Sequence, residues 1–235
     1  MCIPAVLYLI YRSIAPYEDG MKDPKLGGAL FYPSIFGFAL GIAHLLMDFN
    51  LVFGGFGVLA FMLLYPVIET YAVVVIFNRT FFLKQPGAAL YFGIGGGALA
   101  FGLAFVEIFR TALIDRAAQL GELGLIGTMV AVATAYVLLH SAKGLLLGTY
   151  FTEGSRVRGV IVAAGLQIPF GALQLTFWLG ISQAEMASAM LVYGALFYFL
   201  VWHVFFPKHL PDELEAEIKR VQKRARRRAI ARRQK

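Results

Sequence analysis

Charge is what this chain has least of. Asp, Glu, Lys and Arg supply 15% of its 235 residues, where a soluble domain carries roughly 25%. One cysteine, Cys2, excludes a disulfide within the chain and leaves the redox compartment open. Short segments of alternating polarity are absent, which excludes a transmembrane β-barrel. Met1 to Ile10 are apolar but lack a basic leader region and a small-residue cleavage site, so no cleavable signal peptide is expected. Missing motifs remove further chemistries. There is no His-Glu-x-x-His zinc site, no Gly-x-Ser-x-Gly nucleophile elbow and no Gly-x-Gly-Asp aspartyl motif. A retinal pigment needs a lysine in its last span, and the last apolar run, 185–206, has none. The run Gly93-Ile94-Gly95-Gly96-Gly97 lies inside an apolar stretch, so it offers a surface for close backbone contact and not a phosphate loop.

What remains is apolar. Hydrophobic residues make up 59% of the chain, in runs long enough to cross a bilayer of about 30 Å. The expected fold is an all-α bundle of about seven transmembrane helices over residues 1–206, at roughly 2–14, 29–52, 54–77, 88–112, 123–150, 159–181 and 185–206. Residues 208–235 hold 11 Lys/Arg and 4 Asp/Glu, a net +7 that equals the whole formal charge. Counting back from an inside C-terminus puts Arg12, Lys22, Lys25, Arg79, Lys84, Arg156 and Arg158 in inner loops and little beyond Arg116 in outer ones. The positive-inside rule therefore predicts N-terminus out and C-terminus cytoplasmic, in the plasma membrane.

The tail, 207–235, reads as a cytoplasmic basic helix. Acidic Asp212, Glu213, Glu215 and Glu217 come first and Arg and Lys last, which suits the helix dipole. Leu214, Ile218, Val221 and Ala225 share one side, making it amphipathic. Such a tail fixes topology in solvent or holds anionic lipid head groups. Binding of nucleic acid through its salt-sensitive charge ranks last.

The ionisable residues inside the apolar runs are the candidates for function, because charge at membrane depth is costly. His140 and Lys143 lie in Leu138-Leu139-His140-Ser141-Ala142-Lys143-Gly144, and His140, Gly144 and Gly148 recur every four residues on one helix face. Glu69 and Glu107 occupy two other runs. Two carboxylates and an imidazole around a water are the parts of a general-base hydrolase. Counted along the helices, Glu69, His140 and Lys143 fall towards the inner half, and His44, Asp48, Glu107 and Arg110 towards the outer half. The plain readings are Glu69 as a structural partner of Lys143 or His140, Glu107 and Arg110 as a same-helix ion pair, and His44 and Asp48 as a local hydrogen bond. The glycine stripes then serve packing. No cofactor is expected; His44, Asp48, Glu107 and His140 are the ligand types a zinc ion would use.

Pro66-Val67-Ile68-Glu69, then Gly102-Leu103-Ala104-Phe105-Val106-Glu107, then His140 with Gly144 and Gly148 resemble the successive motifs of the PrsW branch of the glutamic intramembrane proteases. That superfamily also contains the CAAX prenyl endopeptidases. The opening Pro4 to Arg12 is similar to its first span, so the resemblance covers about 4–180. It implies a seven-helix fold, with Glu69 as general base, His140 on the water or oxyanion and Glu107 assisting. Thr70 and Val73 stand where the family has a second glutamate and a lysine, and Leu103 where it has an aromatic. Gln167 and Gly171 replace its last His-x-x-x-Asp/Asn motif.

Leu138 to Gly144 and the basic loop at Arg156 and Arg158 are also similar to a non-proteolytic branch, the anterior-pharynx-defective scaffold subunit of gamma-secretase. The expectation is a degenerate, scaffold-type member that binds transmembrane helices of other proteins, with Lys143, Gln167, Gly144 and Gly148 as binding residues. An active endopeptidase using Glu69, Glu107 and His140 comes second. A proton-coupled transporter using Glu69, His140 and Lys143 comes third.

Overall fold

The computed structural model describes residues 23–46, 49–77, 87–113, 117–175 and 182–210, with scattered tail positions between 212 and 223. Where apolar runs leave no water for the backbone, N–H and C=O groups must pair within the segment, and a helix does this. Six helices follow among the described residues: α1 Asp23–Leu46, α2 Phe49–Phe77, α3 Ala88–Leu113, α4 Ala117–Thr152, α5 Arg156–Leu175 and α6 Gln183–Phe199. No strand occurs among them.

Four stretches are long and apolar enough to cross a membrane: Ala88–Val106, Gly124–Thr152, Arg156–Leu173 and Gln183–Lys208. They mark a membrane protein. Gly27–Ala43 and Leu63–Phe77 are shorter apolar helices. The expected first span, 2–14, lies outside the described residues. Ser182 and Glu185 form a reciprocal capping box, which starts α6 slightly ahead of the expected 185. The same helix ends in one π-helical turn, Leu200–Phe205, and a short 3-10 turn, Phe206–Lys208. Exposed Glu215 and Lys219 pair at the i,i+4 spacing of a helical tail.

The bundle is built outward from α3 and α4. Of the Ala88–Val106 stretch 89% is buried, against 28% of Arg156–Leu173, so α3 is the centre and α5 a wall. α3 packs most extensively on α4 and then on α1; α4 also carries α6 and α5. Large apolar side chains point outward, among them Phe31, Tyr32, Leu64, Val157 and Val192.

Glycine lets the central pair touch backbone to backbone. A Cβ on Gly96 would strike the His140 carbonyl, and one on Gly144 the Phe92 carbonyl. At Gly148 it would lie 2.8 Å from the Ala89 Cα. The spacing of Gly144 and Gly148 does mark a packing face, and the chain's own α3 fills it.

Candidate functional site

Glu69, His140, Lys143 and Gln167 come together from α2, α4 and α5. α2 packs on α5, less on α3 and α1, and reaches α4 through the Glu69 side chain. On α4 the three-residue spacing of His140 and Lys143 puts both on the face towards α2. His140 Nε2–H donates to Glu69 Oε2 at 2.9 Å, and Lys143 Nζ donates to the same oxygen at 3.4 Å. Gln167 bridges the two, its Nε2 donating to Glu69 Oε2 and its Oε1 accepting from Lys143. Glu69 and His140 are 0% exposed and Lys143 1%, so no water-sized gap opens beside the carboxylate or the imidazole. Glu69 Oε1 is buried with no hydrogen-bond partner among the described residues.

The supports are aromatic and local. His140 Nδ1 lies 2.8 Å from the Tyr136 carbonyl, one turn back, and the Tyr136 ring stacks on the imidazole at 5.6 Å and 12°. Phe170 of α5 meets Tyr136 edge-on at 5.2 Å. α2 and α5 run through Pro66 and Pro169, each of which withholds an N–H from the carbonyl four residues back. The Thr70 hydroxyl donates to the Pro66 carbonyl at 2.6 Å. Tyr193 of α6 donates its hydroxyl to the Leu166 carbonyl at 2.8 Å, beside Gln167. Tyr193→Phe is expected to cost about 1 kcal/mol, the net worth of one such bond, read as a lower unfolding midpoint in detergent.

Along α4, Lys143 and His140 lie nine and twelve residues before Thr152, and Gln167 lies eleven after Arg156 on α5. At 1.5 Å per residue the cluster sits roughly 14–18 Å from that end of both helices. Glu107 is placed elsewhere. α3 and α4 are antiparallel with Gly96 opposite His140, so the Glu107 backbone, eleven residues on, lies roughly 16 Å along the helix. Among the described side chains, Glu69 is the acid that meets His140 and Lys143. Gly41 of α1 meets Val106 of α3, its would-be Cβ 2.8 Å from the Val106 Cβ. That contact brings the turns carrying His44 and Glu107 to one end of the bundle. The side chains of His44, Glu107 and Arg110, and the whole of Asp48, lie outside the described residues.

No family model, curated protein or solved structure matches this chain. Among the described residues no three His, Cys, Asp or Glu side chains gather as a metal site would require. The chemistry available is that of an internally paired charge cluster: three N–H donors on one carboxylate oxygen, sealed from water. Sequence reasoning overlooked Tyr136, although its place four residues before His140 was a signal for it. The buried Ser141 Oγ and Trp202 Nε1, which have no hydrogen-bond partner among the described residues, left no mark in the sequence.

Proposed function

We propose that this protein is a non-catalytic scaffold of the glutamic intramembrane protease type, with seven spans and a cytoplasmic basic tail, that holds a transmembrane segment of another protein. The observation that carries the reading is the saturation of Glu69 Oε2 by His140, Lys143 and Gln167 in a sealed interior. A general base needs a water within hydrogen-bond reach, and here Glu69 Oε2 is taken up by His140, Lys143 and Gln167 while Oε1, which has no partner among the described residues, is buried. Thr70, at the position of the family's second glutamate, spends its hydroxyl on a backbone carbonyl. With α4 and α5 ends at the bilayer edge, the cluster lies near the middle of a core about 30 Å thick. A buried pair there ties α2 to α4 and α5 where apolar contact alone gives helices little preference for one another over lipid.

The wall formed by α5 offers the free face. Val157 and Ile161 are exposed, and a Cβ at Gly165 meets nothing within 4 Å. Gly165→Leu is expected to leave the folded yield unchanged and to lower recovery of a co-purifying transmembrane partner several-fold. The decisive comparison is cleavage of single-span substrates in liposomes by wild type and Glu69→Gln, scored per folded molecule. Cleavage by wild type alone overturns the scaffold reading and favours an endopeptidase in which the cluster opens to admit water.

A further inference from the structure

We propose that the end of the bundle where α4 turns into α5 binds the head group of an anionic phospholipid, held by Arg156 and Arg158 with Lys208 at its rim. The inference needs only that the protein lies in a membrane, so it stands apart from the scaffold reading.

Three of the four stretches able to cross a membrane have one end here: Gly124–Thr152, Arg156–Leu173 and Gln183–Lys208. Tyr150 of α4 meets Phe205 of the π turn with ring centres 6.0 Å apart, which puts Lys208 at the same end as Thr152. The bilayer edge therefore passes close to Arg156, Arg158 and Lys208, where lipid phosphates lie. The link from α4 to α5 is short and fixed. Gly154 takes a left-handed φ of 81°, which suits glycine. The N–H groups of Ser155 and Gly154 donate back to the Tyr150 carbonyl at 2.9 Å and the Phe151 carbonyl at 3.2 Å. A Cβ on Gly159 would lie 2.8 Å from the Tyr150 Cβ, so α5 leaves tight against that residue. The turn thus lays the Arg156 guanidinium over the Phe151 ring at 5.8 Å and that of Arg158 over the Tyr150 ring at 5.4 Å.

Arg156, Arg158 and Lys208 are all exposed, and among the described residues no carboxylate pairs with any of them. Glu153, in the turn itself, makes no ion pair there, and Glu215 of the tail pairs with Lys219. A guanidinium resting on a ring gives its face to the aromatic and keeps its N–H edge for an acceptor. That edge matches the two free oxygens of a phosphodiester, which it can hold bidentately. Fixing topology needs positive charge alone. It does not need that charge set on rings and left clear of carboxylates. The tail adds exposed Lys219, Arg220 and Lys223 and a net +7 over 208–235, which draws anionic lipid towards this end.

The test titrates the full chain in detergent micelles with phosphatidylglycerol or with phosphatidylcholine. Mass spectrometry of the intact complexes gives the dissociation constant of the first lipid bound. Wild type is expected to bind phosphatidylglycerol the more tightly. Arg156→Gln with Arg158→Gln should weaken that binding about fivefold for each charge removed and leave phosphatidylcholine unaffected. Both side chains are exposed, so the folded yield should hold. Arg156→Lys with Arg158→Lys keeps the charge but not the planar fork, and should fall between wild type and the glutamine pair. Lys219→Gln, Arg220→Gln and Lys223→Gln together should cost less than the glutamine pair. Equal affinity of wild type for the two lipids overturns the proposal. So does a glutamine pair that binds phosphatidylglycerol as wild type does, or a tail variant that loses as much as that pair. None of these outcomes bears on partner capture or substrate cleavage, so failure here is separable from failure of the scaffold reading.

Discussion

Glu69→Ala is expected to lose the folded state under conditions in which the wild type keeps it. The carboxylate is the only acid among the described side chains of a cluster that holds two bases, and all three are 0–1% exposed. Removing one member of a buried ion pair leaves the other charge without a partner and typically costs about 3–5 kcal/mol. A natural protein has only about 5–15 kcal/mol in total. The loss here falls at the high end, because Glu69 Oε2 accepts from His140, Lys143 and Gln167 together. Folded recovery and denaturant midpoint in micelles measure it. Lys143→Met added to Glu69→Ala should restore part of the loss, since it removes one orphaned charge while keeping an apolar chain of similar length. Wild-type stability in Glu69→Ala alone would mean that the cluster does not hold α2 in place.

The second large effect is expected at Gly144. Alanine there puts a methyl group into the Phe92 carbonyl of α3, with the Gly93 Cα 3.3 Å away. Both obstacles are backbone, which cannot turn aside as a side chain does. Overpacking a core costs about 1–3 kcal/mol even where side chains adjust, so Gly144→Ala is expected at or above the top of that range. Gly127, also in α4, is the control: its added Cβ meets nothing within 4 Å. Gly127→Ala relieves the entropic penalty of glycine in a helix and should stabilise by about 0.5–1 kcal/mol. The same substitution on the same helix then has opposite signs. Equal effects at the two positions would refute the α3–α4 contact.

Much of this site was legible before any fold was known. Glu69, His140 and Lys143 stand in apolar runs, and charges at membrane depth are paired as a rule, so their meeting was to be expected. Helix positions follow from run length, and each of the six described helices overlaps a predicted span, although several ends lie five to seven residues away. Gly144 and Gly148 declared a packing face through their four-residue spacing. Which helix fills that face was not written locally, because it depends on the register of α3 against α4. The same register sets the Glu107 backbone well along α3 from the His140 contact. Counting residues from a loop gives depth, but it gives neither helix rotation nor neighbour order. Gln167 stood out in the sequence as a departure from a protease motif and, with Lys143, as a binding candidate. Its role as a bridge between Glu69 and Lys143 depends on α5 lying beside α2, which no local pattern records. Tyr193 is less visible still, since its partner is a main-chain carbonyl on another helix.

The burial of α3 bears on how the protein is made. Over Ala88–Val106 its side chains meet other helices almost everywhere, yet the stretch has the composition of a segment that could face lipid. In the finished bundle nothing requires such uniform apolarity, and a helix so enclosed has room for polar contacts with its neighbours. Lipid surrounds it only during biogenesis, when spans enter the bilayer one after another and associate later. Its greasiness is then a requirement of insertion, imposed before α4 and α6 have been synthesised to cover it. A polar replacement in α3 would act at that early stage, lowering the yield of inserted protein even where the assembled bundle accommodates it.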